Sequence, residues 1–199
     1  LALGAGVGAG VMIGGRLHRG HHWYAGEISR MTLDHREWQV DFGDGGYLES
    51  RIGAAAIPEW ARARTLFEQA EHDRDAALRL IFDRARSGDA EAVAVVEDLA
   101  VYLGSAVANI VAVLDPALVV FGGGLSHAGS VLLDPVRRVV ARIVPNVPAL
   151  EVSAVGADAQ LLGAVYSAME LAQGRLLAIA GQCVPSSTSR RVATRALRR

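Results

Sequence analysis

LALGAGVGAGVMIG, residues Leu1 to Gly14, opens the chain and organises the reading of everything after it. Gly4, Gly6, Gly8 and Gly10 occupy every second position of an apolar run. A strand sends alternate side chains to one face, and a glycine on that face lets another group approach the backbone. The run therefore predicts two strands joined by a tight glycine turn around Val7 and Gly8, with backbone N–H groups offered to an anion as in phosphate loops. It does not fit G-x-G-x-x-G, and Ala9 to Gly15 contains no Gly-Lys-Ser/Thr. Taken alone, it reads equally well as a glycine-rich hairpin without a ligand.

The chain has 199 residues, enough for one domain or one large lobe. It is 51% hydrophobic and 21% charged, with a formal net charge of −1, so no global field points to nucleic acid or to a membrane surface. The start at Leu1, with a glycine motif almost at once, predicts a fragment of a longer protein without a basic leader. The single cysteine, Cys183, has no internal partner, which fits a reducing cytosol and a cytoplasmic protein. Leu103 to Leu125 is apolar enough to mimic a membrane span, but Asn109, Asp115, Pro116 and three glycines break it into helix, turn and strand.

Downstream, Arg16 to Tyr24 is basic and aromatic and reads as a solvated loop. His18, His21 and His22 lack an acid or thiol at ligand spacing, so metal binding is not expected there. Glu27, in Ala25-Gly-Glu-Ile-Ser-Arg-Met31, is a carboxylate beside a glycine, able to accept two hydroxyls of a neutral sugar or to stand as an ordinary exposed acid. Ser50 to Arg86 reads as helices: Ile57 and Pro58 open one with Trp60, Leu66 and Phe67 inward, and Leu78, Ile81 and Phe82 follow at helical spacing. Asp89 is a fair N-cap for a helix to Leu114 whose core stripe is Leu99, Leu103, Val107, Ile110 and Leu114. Ala117 to Phe121 is apolar throughout, as in a strand buried on both faces, and ends in Gly122, Gly123 and Gly124. These glycines leave a flat backbone against which a purine could lie, or simply a turn. Val131 to Val144 is a helix with Leu133, Val136, Val140 and Ile143 inward. Leu150 to Val155 is a strand, and Ala157 to Gln173 a helix with Leu161, Leu162, Val165 and Met169 on one side. From Gly174 the pattern fades; Leu176 to Ala180 could extend the helix, and residues 176–199 are otherwise a Ser- and Arg-rich tail, expected to be disordered, whose five arginines in the last ten residues also suit nucleic acid or an acidic partner.

Four stretches carry a resemblance over Leu1 to about Gln173: GAGVGAGVMIGGRLHRG, AGEISRM, GDGGYLE and DPALVVFGGGLSHAG. Their order and spacing resemble the C-terminal half of the ROK family, which groups bacterial sugar kinases with sugar-responsive transcriptional repressors. The resemblance implies an α/β fold, a lobe of the actin/hexokinase-like (ribonuclease H-like) ATPase domain with a mixed sheet and packed helices, here over residues 1–175. It implies sugar contacts at Glu27 and Glu49, phosphate contacts at Gly6, Gly8 and Gly10, and an adenosine segment at Gly122, Gly123 and Gly124. It also implies ATP with Mg in an intact kinase, a homodimer, no membrane, and a catalytic aspartate in the N-terminal lobe, outside this chain. DNA would be bound only by an N-terminal helix-turn-helix domain of a regulator.

Two departures from the family pattern agree. The family's Gly-Glu-Ile-Gly-His is Gly26-Glu-Ile-Ser-Arg30 here, and its three zinc cysteines correspond to Val40, Phe42 and Tyr47. Arginine offers no lone pair, so all four zinc ligands are missing and zinc is not expected. The three apolar side chains suggest a hydrophobic cluster that holds the same loop. Arg30 beside Glu27 would suit a phosphorylated or acidic sugar, or would close the site through an ion pair with Glu27 or Glu49. The expected function is the sugar-sensing lobe of a transcriptional regulator; the alternatives are the C-terminal lobe of an ATP-dependent sugar kinase and a degenerate structural or dimerisation module.

Overall fold

Two short hairpins occupy the first eighteen residues of the protein, seen here in a computed structural model that describes residues 1–4, 6–53, 56, 57, 60 and 74–182. Strand β1 (Ala2–Leu3) pairs antiparallel with β2 (Val7–Gly8), Leu3 opposite Val7. The turn therefore falls at Gly4–Gly6, with Gly4 N–H bonded to the Gly6 carbonyl at 2.9 Å, three residues before the expected position at Val7 and Gly8. Val7 is apolar and buried, and packing draws it into the strand. The second hairpin, β3 (Val11–Ile13) with β4 (Arg16–His18), was not expected. Gly14 and Gly15 have φ of 58° and 76°, the double positive φ that a two-residue type I′ loop demands. Arg16 to His18 is thus strand rather than loop.

Helix α1 (Gly46–Ile52) follows, then α2 (Arg74–Arg86) and α3 (Ala90–Leu114). The expected helix with Leu66 and Phe67 inward lies outside the described residues. Asp89 caps α3 as anticipated, its Oδ1 accepting from Ala92 N–H at 3.0 Å. Leu99, Leu103 and Val107 are buried on α3, but the stripe closes on Val111 while Leu114 is exposed. A 3.6-residue helix drifts off a step of four, and the last turn ends at Asp115, which adopts a left-handed φ of 43°. By length and hydropathy α3 could cross a membrane, yet half of its most apolar window is buried inside the protein, as in a core helix.

Strand β5 (Leu118–Gly123) runs parallel to β1, with Ala2 opposite Gly122 and Leu3 opposite Gly123. Helix α4 (Ser130–Ile143) returns the chain to β6 (Ala149–Val152), parallel to β5. The sheet order is β2-β1-β5-β6, mixed in direction. Its inner face meets the helices in one core that includes Leu3, Val119, Phe121, Leu99, Leu103, Phe82, Leu132 and Val136. At roughly 1.5–3 kcal/mol for each fully buried side chain, this core is the main source of stability. Helices α3 and α4 approach closely at Gly104, where a Cβ would stand 2.6 Å from Val139 Cβ. Strand β5 is not buried on both faces: Val119 and Phe121 are inside, but Leu118 is 47% and Val120 38% exposed. Among the described residues of Leu1–Ala159 the helices pack on the face of the sheet that carries Val119 and Phe121. On α4, Leu132 joins Leu133, Val136 and Val140 in the core, whereas Ile143, at the end of the helix, is exposed.

The remainder, from Gln160, forms a second unit. Helix α5 runs from Ala159 to Gln182, past the expected end at Gln173, with Leu161, Leu162, Val165 and Met169 at spacings that share one side. The tail after Gln182 lies outside the described residues.

Candidate functional site

Glu49 sits in the first turn of α1, where a carboxylate also favours the helix dipole. Its Oε2 accepts a hydrogen bond from Val7 N–H at 2.8 Å, at the exit of the Gly4–Gly6 turn. A Cβ on Gly6 would come within 2.8 Å of the same oxygen, and one on Gly45 would collide with Oε1. The absence of side chains at both glycines lets the carboxylate reach the turn, so Gly6 and Glu49, 43 positions apart, form one site. Gly8 has nothing within 4 Å of where a Cβ would stand, and Gly10 meets only Leu17 Cδ1 at 3.7 Å.

Glu27 precedes a short 3-10 turn (Ile28–Arg30) in which Ile28 and Ser29 are buried. Ser29 Oγ donates to Glu27 Oε1 at 2.6 Å, which orients the carboxylate. Ala9 N–H donates to the Gly26 carbonyl at 2.8 Å, so the end of the first hairpin and the Glu27 loop are tied together. Arg30 passes over Gly46, whose Cβ would stand 2.6 Å from Arg30 Cγ, and donates from Nη2 to the Asp44 carbonyl at 2.8 Å. No ion pair joins Arg30 to Glu27 or Glu49 among the described residues. Its guanidinium therefore props the loop ahead of α1 instead of closing the site by charge.

Gly122, Gly123 and Gly124 lie apart from these side chains but on the same edge of the sheet. Strand β1 ends at the Gly4–Gly6 turn, and its parallel partner β5 ends at the three glycines, Leu3 opposite Gly123. Both loops thus leave the carboxyl ends of parallel strands, where open α/β sheets take their ligands. The glycines also have a packing cause. A Cβ on Gly123 would strike the Leu3 carbonyl, and one on Gly124 would stand 3.1 Å from Leu78 Cδ1.

The four positions that would ligate zinc do not fit it. Arg30, Val40, Phe42 and Tyr47 offer no thiolate, imidazole or carboxylate, and no group of three or more His, Cys, Asp or Glu comes together among the described residues. Phe42 and Tyr47 meet edge to face at 5.3 Å. Arg51, one turn beyond Tyr47, lies 5.7 Å and 5.3 Å from the two ring centroids and pairs with both oxygens of Glu37 at 2.6 Å. Trp60 Nε1 donates to the Arg51 carbonyl at 3.2 Å. Val40 does not join this cluster; it is 51% exposed. Burial, chiefly, pushes the Tyr47 phenol above its usual range, and the bond to Glu37 holds the Arg51 guanidinium more firmly protonated. The clasp was missed in the sequence, although Tyr47 and Arg51 stand at i, i+4 on one helix.

A family model described as the ROK family matches residues 1–171. The chain belongs to the ROK family. A glucokinase from Halalkalibacterium halodurans is 32% identical over 180 residues, covering 82% of this chain and 53% of the relative. Among solved structures, a ROK glucokinase from Streptomyces griseus in complex with glucose and AMPPNP superposes with a TM-score of 0.67 at 27% identity, covering 82% of this chain and 57% of that one. A ROK transcriptional regulator, a homolog of the E. coli MLC protein, gives 0.63 at 25% identity over 75% and 40%. The ROK chain described here thus spans about half the length of the curated relatives it matches. Its mixed sheet with packed helices is the actin/hexokinase-like fold of these sugar kinases. Both kinases and regulators are among its relatives.

Proposed function

We propose that this chain is the sugar-binding lobe of a ROK protein and that it senses a hexose without phosphorylating it unaided. The observation that carries the reading is that the elements bearing Glu27 and Glu49, the 3-10 turn after Glu27 and α1, pack on each other and on β2. Glu27 lies just after Gly26 and Glu49 in the first turn of α1, and both are held by short hydrogen bonds, from Ser29 Oγ and Val7 N–H. Oriented carboxylates with spare lone pairs are suitable acceptors for sugar hydroxyls. Phosphoryl transfer needs a base, a phosphate cradle and a metal ion as well. Gly6, with Gly122, Gly123 and Gly124 at the same end of the sheet, and Gly8 and Gly10 further along the chain, supply at most the nucleotide side. Bound ATP with Mg would bring the transferable phosphoryl group; these backbone segments would hold its phosphates and base.

Within the family we favour a regulator of carbohydrate metabolism, cytoplasmic and homodimeric, whose DNA contacts belong to another domain. The replacement of all four zinc positions supports it, because a sensor tolerates a looser sugar position than an enzyme does. The kinase reading rests on the glucokinases among the relatives. Isothermal titration with glucose and glucose 6-phosphate tests the sugar reading, and an ADP-release assay with ATP and Mg tests whether the chain phosphorylates a hexose unaided. The expected result is saturable hexose binding, lost in Glu27→Gln, with no ADP release. Hexose-dependent ADP release from this chain would establish the kinase instead.

A further inference from the structure

Trp23 stands in a conformation that a bulky side chain rarely adopts. Its φ is 60°, in the left-handed region, where the Cβ crowds the following carbonyl. The indole gains no burial in return, since it is 74% exposed, and its neighbour Tyr24 is 55% exposed. A large apolar ring held outside at a strained position is the kind of outlier that points to function.

The loop that presents it is closed at the neck. Ala25 N–H donates to the Arg19 carbonyl at 3.1 Å, and Glu27 N–H to the Tyr24 carbonyl at 3.2 Å. Gly20 faces Ala25 so closely that a Cβ there would stand 3.2 Å from that of Ala25. The guanidinium of Arg19 lies 4.6 Å from the Trp23 ring centroid and steadies the indole through a cation–π contact. That contact does not require the left-handed backbone, because arginine stacks on tryptophan from ordinary conformations. The ring is therefore positioned, and it is positioned four residues before Glu27, within about 14 Å of it at full chain extension.

We propose that Trp23, with Tyr24 and Arg19, forms an aromatic subsite that stacks the apolar face of a second pyranose ring, extending the Glu27–Glu49 site from a monosaccharide to a disaccharide or glycoside. The inference rests on the sugar-binding reading above. A planar indole matches the C–H face of a pyranose, and the donors of Arg19 can meet its ring hydroxyls. An aliphatic ligand would use only the ring and a small acid only the guanidinium, whereas a pyranose uses both.

Calorimetric titration of the 199-residue chain with glucose, maltose and cellobiose tests it. Wild type is expected to bind at least one disaccharide roughly threefold to tenfold more tightly than glucose. Trp23→Gly should erase that preference, leave glucose affinity unchanged and raise the melting temperature by relieving the backbone; Trp23→Phe should keep part of the preference. Glucose binding with no disaccharide preference in wild type, or a preference that survives Trp23→Gly, overturns the subsite alone. Failure of all three sugars to bind overturns the sugar reading with it.

Discussion

At Gly123 φ is 66°, and a Cβ would run into the Leu3 carbonyl of the neighbouring parallel strand. Gly123→Ala is expected to cost at least about 2 kcal/mol, part from the left-handed backbone and part from pushing two strands apart. Urea unfolding should show the lower midpoint with an unchanged slope. From sequence the triple glycine read as a flat surface for a purine or as a bare turn; the steric cause was invisible because it depends on a strand about 120 residues away. Glu27 stood out in the sequence as a carboxylate beside Gly26, and Glu49 only through the resembled motif. Their partners, Ser29 Oγ and Val7 N–H, were not legible, since the first depends on the local turn and the second on a contact 42 residues away in sequence. Tyr47 supports a second prediction at this scale. Burial raises its phenol above 10.0 in the folded protein. An acid whose folded pKa is raised contributes stability below its unfolded pKa and loses it as pH climbs through the folded value. Denaturation from pH 8 to 11 should therefore show stability falling above about pH 10, and Tyr47→Phe should flatten that limb.

Among the elements, α1 and the loop before it show one fastening replaced by another. Where the family resemblance expects a metal, Arg51 grips two aromatic rings and a carboxylate. Both members of the ion pair are about one-third exposed, so the Coulomb part is modest. The rings add to it. Arg51→Ala is expected to cost about 2 kcal/mol and Glu37→Gln about 1, because the second change leaves the cation–π contacts in place. Thermal melts of the two variants give the order, and equal losses would assign the whole effect to the ion pair. The sequence reading anticipated a hydrophobic replacement through Val40, Phe42 and Tyr47, and two of the three do meet. The cation over both rings was overlooked because Arg51 lies outside the stretch the resemblance compares. The helices α3 and α4 and the strands β5 and β6 were legible from periodicity, to within a few residues. The hairpin β3–β4 was not, because Gly14 and Gly15 were counted with the preceding glycines instead of being recognised as a type I′ pair.

For the molecule as a whole, burial predicts the pattern of local stability. Leu99, Leu103, Val107 and Phe121 are almost wholly buried, whereas Met12, Ile13 and Leu17 of the second hairpin are exposed. Amide exchange should be slowest in the middle of α3 and in β5, and fastest, by several orders of magnitude, in β3 and β4. Uniform protection across both regions would show that the hairpin is held by more than its own ladder. The fold class was legible because long periodic elements and ordered motifs agree. The unequal burial of the sheet's faces was not: Leu118 and Val120 are as apolar as Val119 and Phe121, and composition alone does not reveal that the described helices of Leu1–Ala159 pack on the Val119 and Phe121 face. The parallel pairing of β1 with β5 has a consequence in time. Ala2 and Leu3 leave the ribosome about 120 residues before Gly122 and Gly123, so at ~5–20 residues per second the first strand waits roughly 6–24 s for its neighbour. During that interval the edge of the first strand that β5 will cover is open to other chains.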